Sequence, residues 1–79
     1  MIIASQDVTP QDTVQYTQVT IGKLQMTYRD TDPKFWALAV AREALRFAWY
    51  VLEGDLGTAQ EKSARVKAAI DDFERNVRQ

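Results

Sequence analysis

The sequence predicts a small α+β domain: a β-hairpin over about residues 13–29, packed on an antiparallel helical hairpin of about 33–53 and 59–77. Three observations predict it. Composition changes at Asp32: six threonines and five glutamines come before it, and Ala, Leu, Glu, Lys and Arg dominate after it. The first set favours strand and the second favours helix. Apolar residues alternate on both sides of Gly22-Lys23, as in a hairpin. Pro33 to Glu53 reads as one helix that is apolar around most of its circumference.

In chain order, the hairpin comes first. Gly22 as the leading turn residue fits a type II′ turn, which pairs Ile21 with Leu24, Val19 with Met26 and Thr17 with Tyr28 on one face. Met1 to Ser5 could add a short third strand. The competing alternative is an all-α three-helix bundle. Thr9-Pro-Gln-Asp has the form of a helix cap with proline at the first helical position. Val14, Ile21, Leu24 and Tyr28 then fall at roughly helical spacing. The threonines, the β-branched aliphatics and Gly22 are poor helix formers, so the hairpin is preferred.

The next two elements have clear punctuation. Asp32 caps the first long helix, with Pro33 in its first turn, and Gly54 ends it in a left-handed conformation. Thr58-Ala-Gln-Glu61 forms a capping box for the second, which runs to about Val77. A connection this short folds the two helices back on each other.

The two helices differ in kind. In the second, Ala59, Ser63, Val66, Ile70, Phe73 and Val77 make one narrow apolar seam. In the first, Ala37, Ala41, Ala44 and Ala48 form a central strip, flanked on one side by Leu38, Leu45, Leu52 and Trp49. Trp36, Val40, Phe47 and Val51 flank the other side. One seam cannot cover so wide an arc. Each large side chain left in water forgoes about 1.5–3 kcal/mol. The sequence therefore places an interface with a partner at Trp36, Val40, Phe47, Trp49 and Val51, the simplest partner being a second copy. A chain of 79 residues is one domain, 1–79, and small domains need such help.

The same composition excludes several classes of function. Without cysteine or histidine there is no disulfide, no thiolate metal site and no histidine base. Ten Lys plus Arg against eleven Asp plus Glu, mixed along the chain, leave no basic run to neutralise phosphates. No segment has the uncharged length of a membrane span, and MIIASQDVTPQD lacks the pattern of a signal peptide. A cytoplasmic protein follows as the expectation. Gly22, Gly54 and Gly57 are explained as turns or caps, so no phosphate loop exists. Ser5 and Ser63 have no activating base. Asp30 and Asp32 are too few to hold a metal. No enzyme, no metal and no cofactor are expected.

One candidate ligand site remains. Arg42 and Arg46 lie one helical turn apart with Tyr50 on the same stripe, a pattern that could hold an anion. The same residues also read as an ordinary solvated face. The preferred expectation is a non-catalytic protein-binding module. It would be a self-associating small regulatory or inhibitory protein that occupies a partner protein's surface. The alternative is an oligomer that binds a small anionic ligand such as a nucleotide through Arg42, Arg46 and Tyr50. A ribbon-helix-helix dimer, reading DNA with Gln25, Thr27 and Arg29, is less favoured because the chain is close to neutral.

Overall fold

A computed structural model describes residues 8–78, and all regular structure among them is helical. The elements are α1 (Pro10–Gln25), α2 (Pro33–Glu53) and α3 (Leu56–Val77). The expected hairpin over 13–29 is not there: most of that segment is α1, and the three-helix alternative fits. The proposed strand at Met1–Ser5 lies outside the described residues. The segment offered for DNA reading, 25–29, is the last residue of α1 and the turn after it.

Three features make α1 a helix in spite of its composition. Its first turn is held by a full capping box: Thr9 Oγ1 accepts from Asp12 N at 3.1 Å, and Thr9 N donates to Asp12 Oδ2 at 3.4 Å. Its threonines bond inside the helix, with Thr17 Oγ1 donating to Thr13 O at 2.8 Å and Thr20 Oγ1 to Tyr16 O at 3.0 Å. This satisfies hydroxyls that would otherwise compete with helix formation. Gly22 is not a turn but a point of close approach. A Cβ there would sit 3.4 Å from Nε of Arg42 on α2. Packing against α2 thus overrides weak local propensity.

The α2–α3 helical hairpin matches the sequence in plan. Asp32 Oδ1 accepts from Lys34 N at 2.9 Å, and Gly54 closes α2 at φ 83°. α3 begins at Leu56, earlier than expected, because Asp55 rather than Thr58 is the cap. Asp55 Oδ1 accepts from Thr58 N at 3.1 Å. The backbone N–H of Thr58, and then its hydroxyl, hold the Asp55 carboxyl below the ordinary aspartate range. The turn between α1 and α2 is pinned by Trp36, whose Nε1 donates to Asp30 O at 2.6 Å.

The helices lie side by side with α2 in the middle. α1 and α3 each pack on α2, and their backbones do not come together. Gln11 at the start of α1 reaches Leu52 O at the end of α2, so this pair is antiparallel. The backbone extends only 12 Å along its shortest axis against 49 and 32 Å along the others, so the three helices form a flat layer. A single layer has no interior. Only Ala59, Ala69 and Gln25 are buried among the described residues, and no large side chain is fully buried. Stable domains ordinarily pack two layers around a core, and the described residues form only one.

Candidate functional site

With α1 and α3 on nearly opposite flanks of α2, two faces of the layer stay open. Helical projection sorts the side chains of α2 between them. One face is apolar. Ala37, Ala44 and Val51 recur every seventh residue along its centre and are exposed. Val40, Phe47 and Ala48 lie beside them, half-buried. On the flanks of this face, α1 brings Thr17, Ile21 and Leu24, and α3 brings Ser63, Ile70 and Val77. Leu24, Val51, Ile70 and Val77 are each about two-fifths exposed. No residue of α2 on this face is charged, while Thr13, Lys67 and Glu74 stand at its edges.

The opposite face is polar and grooved. A depression of about 380 Å³ is lined by Gln15 and Gln18 of α1, Arg46, Trp49 and Tyr50 of α2, and Lys62 of α3. A second one, about 280 Å³, continues from the same two glutamines along the α1–α2 seam past Val19, Gly22, Lys23, Met26 and Arg42. Together they form one groove across the middle of the layer. Four cations line it and no carboxylate does.

The neighbours of these cations fix their positions. Arg42 donates from Nη1 to Gln25 Oε1 at 3.0 Å, and that glutamine is itself buried. No carboxylate pairs with Arg42 among the described residues, and its Nε is buried without a hydrogen-bond partner. Arg46 has a loose pair with Glu43 at 3.8 Å. Lys62 Nζ lies 5.7 Å from the ring centroid of Tyr50, which meets Trp49 edge to face at 5.1 Å.

The structure divides the residues that the sequence grouped. Val40, Phe47 and Val51 share the apolar face. Trp49 lines the groove on the other side, and Trp36 borders a third, smaller depression there with Ala39, Glu43, Arg65 and Asp72. Arg42, Arg46 and Tyr50 do lie on one face, along the groove. Sequence reasoning missed Gln15, Gln18, Lys23 and Lys62. The first three depend on α1 being a helix, and the signal for that was the Thr9–Asp12 cap.

No cluster of three or more metal-ligating side chains occurs among the described residues. No helix there is long and apolar enough to cross a membrane. No protein-family model matches the chain, and no curated protein or solved structure is significantly similar to it.

Proposed function

We propose that this chain is a non-catalytic protein-binding module that works as a self-associated, two-layer assembly, a form suited to a small cytoplasmic regulator or inhibitor. The observation that carries this is the single helical layer. With no large side chain fully buried among the described residues, there is little hydrophobic stabilisation to set against the entropy of folding. A cover over the apolar face would supply that burial.

A second copy is the cover that fits best. α2 and α3 run about 32 Å, and three helices spaced about 9 Å apart give a face of roughly 800 Å². A standard protein interface buries about 800 Å² on each partner. The face is apolar at its centre with polar edges, the usual anatomy of an interface. It carries no net charge that would repel its own copy. Ala44, near the middle of α2, lets two such helices cross closely, while Val40, Phe47 and Val51 fill the space beside the crossing.

The absence of native cysteine makes a direct test available. If two copies pair face to face about a two-fold axis through the middle of α2, Ala44→Cys places two thiols near that axis. Mild oxidation should then link two chains covalently. Ala64→Cys, on the outer edge of α3, should give little of this product. Equal cross-linking by the two variants, or none by either, would count against the proposal.

A further inference from the structure

We infer that the groove on the polar face is a docking site for an acidic, extended peptide segment of a partner protein. This names a partner for the protein-binding reading and rests on that reading, but not on self-association. Its basis is the sorting of charge. Acids outnumber bases over the whole chain, eleven to ten. Yet the groove is lined by Lys23, Arg42, Arg46 and Lys62 without one carboxylate. Arg42 makes the imbalance sharper, because its guanidinium is half-buried and held by a neutral glutamine rather than an acid. Arg46 keeps a loose pair with Glu43, but Lys23, Arg42 and Lys62 have no ion pair among the described residues, and such cations favour an anionic partner.

Shape selects among anions. The groove is open and runs across all three helices, and its cations are spread along it rather than gathered at one point. Small ligands are usually held in deep, enclosed pockets. An extended segment can place one carboxylate against each cation in turn. Between them lie apolar surfaces of Val19, Met26 and Trp49, and the amides of Gln15 and Gln18, which can bond a peptide backbone. Nucleic acid is a poorer match. The chain carries a net charge of −1, and the ring of Tyr50 already has Trp49 and Lys62 against it.

The test is fluorescence anisotropy of the full chain with three labelled probes: a Glu-Glu-Leu repeat peptide, a single-stranded oligothymidylate and ATP. The peptide should bind best, and its affinity should fall as salt rises. Charge reversal with Lys23→Glu and Lys62→Glu together should weaken it by about tenfold or more, since each reversal turns an attraction into a repulsion. Arg46→Glu is the second variant and should act in the same direction. Circular dichroism should show native helix content in the variants carried forward. Tighter binding of the oligothymidylate or of ATP would overturn the peptide assignment. So would peptide binding that charge reversal leaves unchanged, or no peptide binding at low salt. Ala44→Glu, on the apolar face, should leave the intrinsic affinity of any folded chain for the peptide unaltered. Failure of the groove and failure of self-association are therefore separate results.

Discussion

The two open faces of this layer share one central helix and have opposite chemistry. The face along Ala37, Ala44 and Val51 is smooth and uncharged. The face along Arg42, Arg46 and Tyr50 is grooved and cationic. An amphipathic helix in an ordinary small domain has one buried side and one solvated side. Among the described residues neither open side of α2 is covered, because α1 and α3 occupy the flanks. The difference teaches that burial and recognition are divided between the faces. The apolar face has the composition to complete a core, and the cationic face has the composition to select a partner.

The largest effect should come from breaking the apolar face. Ala44→Glu adds a charge at its centre while keeping a good helix former. Burying that charge unpaired should cost the assembly about 3–5 kcal/mol. Equilibrium denaturation at fixed concentration would measure the loss. If the face were permanently solvated, the substitution would change stability by only a few tenths.

Next in size is the seam between α1 and α2, on which the groove depends. Gly22→Leu would drive a side chain into Arg42, whose Nε already lies 3.4 Å from the position of a Cβ. Overpacking of this kind costs about 1–3 kcal/mol, offset by about 1 kcal/mol because leucine is the better helix former, so the net loss is smaller. Thermal melting should show that loss, and peptide binding should weaken with it as Arg42 and Gln25 move apart. An unchanged melting temperature would mean that α1 is not packed as described.

The smallest effect tests a connection that belongs to neither face. Asp55 caps α3, and its carboxyl is held below the ordinary aspartate range by Thr58. A depressed carboxyl stabilises the fold above its unfolded value, near about pH 4, and that contribution is lost as pH falls through the folded value. Asp55→Asn should therefore lower the melting temperature slightly at neutral pH. The difference from the parent chain should shrink as pH falls below the ordinary aspartate range. A difference that is constant with pH would remove the carboxyl from the account.

How much could be read from the sequence follows the range of each interaction. α2 was legible to its ends because its caps, Asp32-Pro33 and Gly54, act within one turn. α3 was legible except at its start, where Thr58 was expected as the cap and Asp55 holds that role. α1 was misread because its composition outweighed its local cap at Thr9–Asp12. Gly22 looks like a turn until Arg42 is seen against it, and the threonines look like strand formers until their hydroxyls bond to the preceding turn. The candidate site divides in the same way. The Arg42–Arg46–Tyr50 stripe follows from spacing on a single helix. Lys23, Gln15, Gln18 and Lys62 join it only once three helices are laid side by side. The two tryptophans were placed at the interface as flanks of the apolar arc of α2; in the layer Trp49 lines the groove and Trp36 borders the depression between α2 and α3.

The central claim is that a one-layer chain completes its core with a second copy of itself. Sedimentation equilibrium combined with thermal melting over a hundredfold range of concentration tests it most directly. The account predicts the mass of a dimer or a larger assembly, and a melting temperature that rises with concentration as mass action requires. A monomer mass with a cooperative melt independent of concentration would contradict it.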